Sequence, residues 1–315
     1  MMKCPAPMLT ALALLTATPL LAVPPNLAFK PSGEQGLFEF DTGVLRGTLK
    51  LDGRFQGIYP LVDVASGQTI TRPPGIFSYY RLFTPNKRYG NAARDWPTQP
   101  KVLSNGGVEV QFTVPKEYPL AMTAVYRWVK PNTLDLETIV TPKQDLPRFE
   151  VFMSSYYTMG FRASAYVKPG DAAGKPIFAP IDRTPGAVGG YVMYPRDKEG
   201  LAMINDGRWK IPPNAPIDWT IERDLAAPLM LRRDAELGLT AVMMSVPDDC
   251  FAMSSPWNPA TPTGGGYRSL YQSLYGQDLK AGQPARVHMR LVIERNPSDA
   301  KALELYNEYL KERRP

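Results

Sequence analysis

The sequence has little histidine and little cysteine, and both shortages exclude whole classes of chemistry. His288 is the only histidine among 315 residues, so a His-rich zinc site and an HExxH helix are excluded. The two cysteines are Cys4 and Cys250, and Cys4 belongs to an N-terminal segment that we expect to be removed. Cys250 is therefore predicted to be an unpaired thiol, buried as a small apolar side chain. We predict a metal-independent protein without cofactors.

Motifs for nucleotide binding and for serine hydrolases are also lacking. The chain has no P-loop, no Gly-x-Gly-x-x-Gly and no Gly-x-Ser-x-Gly. Its one Ser-x-x-Lys string, residues 298–301, coincides with the start of a predicted helix, where Ser298 is explained as an N-cap. The formal net charge is +6, but the Lys and Arg residues are scattered, so we predict no nucleic-acid partner.

Only the N-terminus carries a long apolar run. Residues 8–22 follow the single charge of Lys3 and end in small residues, which is typical of a secretory signal peptide and too short for a transmembrane helix. We predict a signal peptide over residues 1–22, cleavage near Ala22 or Val23, and export to the periplasm or the medium. No other run is long enough to span a bilayer, so residues 23–315 are predicted to form one domain without a membrane span.

Alternation of apolar and polar residues with a period of two dominates the rest of the chain. It predicts strands over residues 44–51, 56–64, 108–114, 121–129, 133–140, 148–159, 190–194, 201–204, 218–221, 237–246 and 285–293. The clearest hairpin turns at Lys130-Pro131-Asn132. The 33 prolines favour turns and strand edges over helix interiors. Because helices do not alternate with the strands, we predict an all-β fold, a large antiparallel β-sandwich.

One short helix is predicted at the C-terminus, over residues 298–313. Ser298 can cap it, and Asp299 complements the dipole at its N-terminus. Leu303, Tyr306 and Leu310 follow at helical spacing, so one face of the helix is expected to pack on the sandwich.

Aromatic and arginine side chains recur together at predicted loops and strand ends. The groups contain Tyr79, Tyr80 and Arg81; Tyr89, Arg94, Asp95 and Trp96; Tyr156, Tyr157, Phe161 and Arg162; and Trp257, Asn258, Tyr267 and Arg268. Aromatic rings suit the apolar faces of sugars, and polar side chains bond the hydroxyl groups. Aromatic residues are also good strand formers, so core packing explains many of them equally well. Neighbours in a strand point to opposite faces, so at most one residue of each Tyr-Tyr pair can enter one groove.

These groups supply the candidate site residues. The predicted carbohydrate contacts are Tyr89, Arg94, Trp96, Arg81, Arg162, Arg208, Trp209 and Trp257, and we favour the loop residues over the strand pairs. The predicted proton-transfer groups are Asp206, His288 and Tyr157. A structural alternative is open for two of them. Asp206 lies in an Asn-Asp-Gly string typical of a hairpin turn, and His288 lies on a polar strand face with Arg286 and Arg290.

Two stretches resemble the galactose-mutarotase-like supersandwich superfamily. AVYRW at residues 124–128 with LDLETIV at 134–140 resembles the central hairpin, and GQDLKAG at 276–282 followed by RLVI at 290–293 resembles the final strand. The resemblance implies a supersandwich fold, which occurs in sugar epimerases, in sandwich domains of polysaccharide lyases and in glycosidase accessory domains. The mid-chain histidine acid of the sugar mutarotases has no counterpart, because no histidine precedes His288.

The sequence supports two hypotheses from different classes. The first is an exported protein that binds or processes carbohydrate in an aromatic and arginine-lined groove. Its chemistry would be proton abstraction by Tyr beside an Arg-bound uronate, as in a lyase, or a carboxylate acid–base pair, as in a hydrolase. The second is a non-catalytic envelope or surface protein with a structural or interaction role. Convergence of Tyr89, Arg94, Trp96, Arg208 and Trp257 on one open concavity would favour carbohydrate, and their burial or dispersal would favour the scaffold.

Overall fold

A computed structural model describes residues 1, 25–171, 173–213, 216–261, 264 and 266–313. The predicted signal peptide and its cleavage site lie outside the described residues, apart from Met1. Within these ranges no helix combines the length and the apolar character needed to cross a bilayer.

Strands make up most of the regular structure. In chain order they are β1 (Lys30–Pro31), β2 (Leu37–Asp41), β3 (Leu45–Lys50), β4 (Gly57–Asp63), β5 (Ser78–Thr84), β6 (Lys87–Arg88), β7 (Thr98–Val102), β8 (Val108–Phe112), β9 (Leu120–Lys130), β10 (Thr133–Pro142), β11 (Leu146–Tyr156), β12 (Arg162–Val167), β13 (Ile177–Pro180), β14 (Tyr191–Pro195), β15 (Trp219–Ile221), β16 (Leu225–Asp234), β17 (Leu239–Ser245), β18 (Cys250–Pro256), β19 (Ser269–Leu279) and β20 (Ala285–Arg295). The α-helices are α1 (Lys198–Ile204) and α2 (Asp299–Arg313). Short 3₁₀ turns occupy Pro25–Leu27, Ala93–Asp95, Arg208–Lys210 and Pro247–Asp249.

The strands form three sheets. A nine-stranded sheet has the order β13-β12-β16-β17-β20-β10-β9-β8-β7, and a seven-stranded sheet has the order β15-β14-β18-β19-β11-β5-β6. The third sheet has the order β1-β2-β3-β4. The pairings are antiparallel except for β14 with β15. The predicted all-β antiparallel sandwich is therefore confirmed.

The predicted central hairpin is formed by β9 and β10. Leu134 pairs with Trp128 and Leu136 with Tyr126, and all four of these side chains are buried. Alternate residues of β9 are buried and partly exposed, which is why the sequence shows a clean period of two there.

The main core contains side chains from all three sheets. Tyr79 of the seven-stranded sheet bonds Thr138 of the nine-stranded sheet, with 2.6 Å between the two hydroxyl oxygens. Phe40 of the four-stranded sheet packs on Trp128, with 4.8 Å between ring centroids. The two larger sheets therefore face each other across apolar side chains, as expected of a sandwich.

The C-terminal helix covers the outer face of the nine-stranded sheet. The Ser298 hydroxyl accepts a hydrogen bond from the Lys301 amide at 3.1 Å, as predicted for the N-cap. Ala302, Tyr306 and Tyr309 are the buried residues of α2, so the buried face is shifted slightly from the predicted stripe. Leu303 and Leu310 are only partly buried at its edge.

The strand predicted over residues 201–204 is wrong, because these residues belong to helix α1. The Asp197 carboxylate caps the helix by accepting a hydrogen bond from the Gly200 amide at 2.8 Å. The Asn-Asp-Gly string at 205–207 ends this helix instead of closing a hairpin, and Gly207 adopts the positive φ (93°) expected of it. Residues 198–210 thus cover part of the outer face of the seven-stranded sheet.

Candidate functional site

A pocket of about 400 Å³ opens on the outer face of the seven-stranded sheet. The described residues that line it are Tyr80, Arg81, Arg94, Phe152, Tyr156, Tyr191, Pro216, Ile217, Trp219, Tyr267 and Tyr271. Seven of these eleven are aromatic and two are arginines. The volume lies in the range of small-molecule sites, and the lining combines apolar ring faces with a few polar groups. We call it the aromatic–arginine pocket.

Strand alternation decides which tyrosines enter the aromatic–arginine pocket. Tyr80 and Tyr156 line it, whereas Tyr79 and Tyr157 point through the sheet into the main core. Each Tyr-Tyr pair is thus divided between the two faces, as the geometry of a strand requires. Phe152, on the neighbouring strand β11, stacks on Tyr271 with 4.9 Å between ring centroids and continues the aromatic surface.

Rings and guanidinium groups alternate along one side of the pocket. The Arg94 guanidinium carbon lies 5.3 Å from the Phe55 ring centroid and 4.7 Å from that of Tyr80. The Arg81 guanidinium carbon lies 4.9 Å from the Tyr80 centroid and 5.5 Å from that of Trp209. Both cations are therefore positioned by aromatic rings, which attract them through the ring quadrupole.

The positive charge of these arginines acts on the Tyr80 phenol. Burial by itself opposes ionisation of Tyr80, but the nearby Arg81, Arg94 and Arg88 guanidinium groups outweigh it and lower the pKa of Tyr80 below its ordinary value. Arg81 also donates a hydrogen bond to the Tyr80 hydroxyl at 3.3 Å. The arginines thus stabilise the ionised form of the Tyr80 phenol.

The 3₁₀ turn that carries Arg94 is fixed by its neighbours. The Asp95 carboxylate accepts a hydrogen bond from the Phe55 amide at 2.9 Å. Trp96, next along the chain, packs on Tyr118 with 5.9 Å between ring centroids, and Tyr89 packs on the same ring at 5.6 Å. Packing on Tyr118 buries these two predicted carbohydrate contacts, and Tyr89 is 2% exposed and Trp96 is 7% exposed. They anchor the turn and do not line the pocket.

A buried ion pair fixes the floor of the pocket beneath Arg81. Arg208 donates to the Glu150 carboxylate at 2.9 Å and to Asp206 at 2.7 Å, and it is fully buried. Trp209, the next residue, packs on Phe152 with 4.7 Å between ring centroids. Arg208 and Asp206 therefore satisfy each other and hold Trp209 in place, and neither reaches the pocket lining.

The other predicted groups near the sandwich end lie apart from the pocket. Arg162 donates to the Pro259 carbonyl at 2.9 Å and pairs with Asp182 at 3.2 Å. Trp257 is partly buried against the main core. Tyr157 is fully buried, and burial raises the pKa of its phenol, so it is not available as a base.

His288 belongs to a charged cluster that includes residues of the nine-stranded sheet. Its Nδ1 lies 3.1 Å from the Asp249 carboxylate, and its Nε2 lies 3.6 Å from Glu137. The Asp249 hydrogen bond, then Glu137, raise the pKa of His288 to about 9. The imidazole is thus a paired cation at neutral pH, which opposes a role as proton acceptor.

The predicted convergence of Tyr89, Arg94, Trp96, Arg208 and Trp257 is not found, because only Arg94 lines the pocket. On that criterion the scaffold hypothesis gains. A different set of residues does converge, and it comes largely from strands β5, β11 and β19 and from the segment 216–219. In the sequence, this set of lining residues is indicated by the adjacent pair Tyr80-Arg81, because the pair contributes one ring and one cation to the same pocket.

A second hollow, of about 670 Å³, lies on the four-stranded sheet. It carries Lys30 and Arg46 beside Glu39 and Asp41, and Phe40 is the one aromatic residue among its described lining. Its charges are balanced and it lacks ring surfaces, so it has less of the character of a ligand site than the aromatic–arginine pocket.

Similar folds occur among solved structures. A galactose mutarotase related enzyme from Lactobacillus acidophilus is 10% identical, with 83% of this chain and 98% of that chain covered and a TM-score of 0.47. The Slr1438 protein from Synechocystis sp. PCC 6803 is 10% identical, with 82% and 96% covered and a TM-score of 0.49. A mutant of the heparan sulfate lyase HepC from Pedobacter heparinus is 9% identical, with 87% of this chain but 37% of that chain covered and a TM-score of 0.48.

Each of these structures is at most 10% identical to this chain with a TM-score below 0.5, so none of them decides its chemistry. No protein-family model matches the sequence, and no curated protein matches it significantly. The chemistry of the protein must therefore be argued from its own residues.

Proposed function

We propose that this protein binds or processes carbohydrate in the aromatic–arginine pocket. The observation that carries the proposal is the convergence of seven aromatic side chains and two arginines on one cavity of about 400 Å³. Ring faces can cover the apolar faces of a sugar, while tyrosine hydroxyl and guanidinium groups bond its hydroxyl groups.

The test is a thermal-shift screen of the full chain against neutral and acidic oligosaccharides, followed by calorimetry. A saccharide that binds the native state raises the melting temperature by mass action. Tyr267 is 51% exposed at the pocket, so Tyr267→Ala should fold normally and weaken binding about 3- to 10-fold. The matched control is Tyr59→Ala on the four-stranded sheet, where the ring is 39% exposed, and it should leave binding unchanged.

Product analysis of the same mixtures separates binding from catalysis. Ultraviolet absorbance of unsaturated uronides would identify a lyase, new reducing ends without that absorbance would identify a hydrolase, and binding without either product would identify a binding module. If no saccharide of a broad panel raises the melting temperature, the structural or interaction hypothesis replaces this one.

We also propose that the protein is exported. The support is the sequence of residues 1–22, with one charge followed by an apolar run and small residues. Mass spectrometry of the protein recovered from the periplasm and medium of a bacterial host should show a chain that starts near Val23. A chain of full length confined to the cytoplasm would contradict the proposal.

A further inference from the structure

The two arginines of the pocket are buried with few partners. Arg81 is 3% exposed and Arg94 is 9% exposed. A guanidinium group has five N–H donors. Within the described part of the chain, Arg81 donates to the Tyr80 hydroxyl at 3.3 Å and Arg94 donates to the Ser154 hydroxyl at 3.5 Å, and both contacts are long. The Nε atoms of both are buried without any acceptor in the described residues.

No carboxylate among the described residues forms an ion pair with Arg81 or Arg94. The arginines that are buried elsewhere are better satisfied. Arg208 has two carboxylates, and Arg232, which has no carboxylate, donates to two carbonyl oxygens and a serine hydroxyl at 2.6 to 2.8 Å. A buried charge without such partners is costly. Arg81 and Arg94 are thus the buried cations whose donors the described protein leaves most open.

Aromatic packing explains how the two cations stay in place. The guanidinium carbon of Arg94 lies over the rings of Phe55 and Tyr80, and that of Arg81 lies over the rings of Tyr80 and Trp209. A ring attracts a guanidinium group without supplying an oxygen acceptor, so N–H groups that have no acceptor in the protein can still bind a planar or tetrahedral oxyanion. Both cations also lie within 5 Å of the same Tyr80 ring centroid, so they act on one region of the cavity.

We propose that the ligand of this pocket is an acidic carbohydrate whose anionic substituent, a carboxylate or a sulfate ester, is bound by Arg81 and Arg94. The inference rests on the proposed function, because the surrounding rings are what make the ligand a sugar instead of a free inorganic anion. The anion supplies the negative charge and the hydrogen-bond acceptors that Arg81 and Arg94 lack among the described residues. The lowered pKa of Tyr80 agrees with a positive potential at this position.

Calorimetry with two matched pairs of ligands tests the inference on the full chain. The first pair is an oligogalacturonate and its methyl ester, and the second is a sulfated galactan oligosaccharide and its desulfated form. We expect the acidic member of at least one pair to bind about 10-fold or more tightly than its neutral partner, and to lose affinity as salt is added. The pair that shows the difference identifies the anion.

Arginine variants locate the effect. Arg81→Gln and Arg94→Gln should each weaken binding of the acidic ligand about 10- to 100-fold, and they should leave binding of its neutral partner nearly unchanged. The control is Arg233→Gln, which removes an arginine paired with Asp299 beside helix α2 and should change neither. The comparison of acid and neutral forms on the wild-type protein needs no variant, so it holds even if a buried substitution impairs folding.

The outcomes separate this inference from the proposed function. Equal affinity within both pairs, still weakened by Tyr267→Ala, would overturn the acidic ligand and leave carbohydrate binding in place. A preference for the acid that survives both arginine substitutions would overturn the role of Arg81 and Arg94. Failure of all four ligands to bind would overturn the inference, and the thermal-shift panel of neutral and acidic oligosaccharides then decides whether carbohydrate binding itself stands.

Discussion

Arg208 and Arg81 are both buried arginines, and their surroundings are opposite. Trp209 follows Arg208 in the chain and packs under Arg81. Arg208 lies between the carboxylates of Glu150 and Asp206, whereas Arg81 meets rings and one hydroxyl group. The comparison indicates two uses of the same side chain. A cation neutralised by the protein fixes the structure, and a cation left unneutralised is available to a ligand.

The strongest test of this difference is to replace each arginine in turn and to measure the free energy of unfolding. Arg208→Met leaves Glu150 buried without its cation, and we expect the free energy of unfolding to fall by about 3–5 kcal/mol. Arg81→Met removes a cation that has no carboxylate partner, so we expect a change of no more than about 1 kcal/mol. Equilibrium urea unfolding of both variants measures the difference, and similar losses would contradict it.

A double variant shows whether the large loss of stability in Arg208→Met comes from the Glu150 carboxylate, which is left buried without a cation. Glu150→Gln removes the charge that Arg208 neutralises, so Arg208→Met in that background should recover about half or more of the loss. If the double variant is as unstable as Arg208→Met alone, packing around the long side chain explains the effect instead.

His288 extends the comparison to a second cation that the protein itself neutralises. Its pKa, raised from 6.5 to about 9 mainly by Asp249 and Glu137, lies above the value in the unfolded chain, while Arg313 opposes the shift and Arg286 pairs with Glu137. The resulting stability is complete below about pH 6.5 and is lost as the pH rises through about 9. Since the imidazole is partly exposed and solvent weakens its ion pairs, we expect protonated His288 to contribute about 1–2 kcal/mol to the free energy of unfolding.

Urea unfolding at pH 6 and at pH 10 measures this contribution as the difference between wild type and His288→Gln. The wild-type protein should lose more stability over the interval than the variant. An equal loss in both proteins would mean that the cluster does not hold the imidazole as a cation. The pocket arginines should not contribute to the difference, because they lie on the other large sheet or its 3₁₀ turn.

The smallest effect is expected in the titration of the pocket itself. Because Arg81 and Arg94 lower the pKa of Tyr80, its phenolate should form at lower pH than that of Tyr191, whose pKa is raised mainly by burial. In ultraviolet titration, Tyr80→Phe should remove absorbance from the low-pH part of the tyrosinate curve, and Tyr191→Phe should remove it from the high-pH part. Arg81→Gln should move the low-pH part to higher pH. A low-pH part of the curve that is unchanged in Tyr80→Phe would contradict the electrostatics of the pocket.

The alternation of apolar and polar residues predicted β9, which has one polar face, and it did not predict β18 or β19, in which both faces are largely covered. Strand β9 alternates between buried and partly exposed residues, and its period of two is visible. Every residue of β18 is buried, as are the first seven of β19, so no alternation marks these strands. β19 supplies Tyr271 to the pocket, so part of the candidate site came from a region in which the sequence pattern is weak.

Helix α1 and the pairing of Arg208 show a second limit of the sequence. The segment 201–204 is apolar and short enough to fit a strand. It is helical because Asp197, on its N-terminal side, caps helix α1. The partner of Arg208 is Glu150, 58 residues earlier in the chain, and no local pattern indicates a contact over that separation. Arg81 has aromatic and aliphatic neighbours in sequence and Arg208 has Asp206 two residues earlier, but the contact of Arg208 with Glu150 is visible only in the fold.

The most direct test of the account is an NMR measurement of the arginine Nε–H groups during titration with an acidic oligosaccharide. We predict that the resonances of Arg81 and Arg94 shift with saturation, that the resonance of Arg208 stays in place, and that the neutral form of the same sugar has little effect on any of them. Binding of the acidic ligand without movement of the Arg81 and Arg94 resonances, or equal shifts with both ligand forms, would contradict the assignment of these two arginines as the anion site.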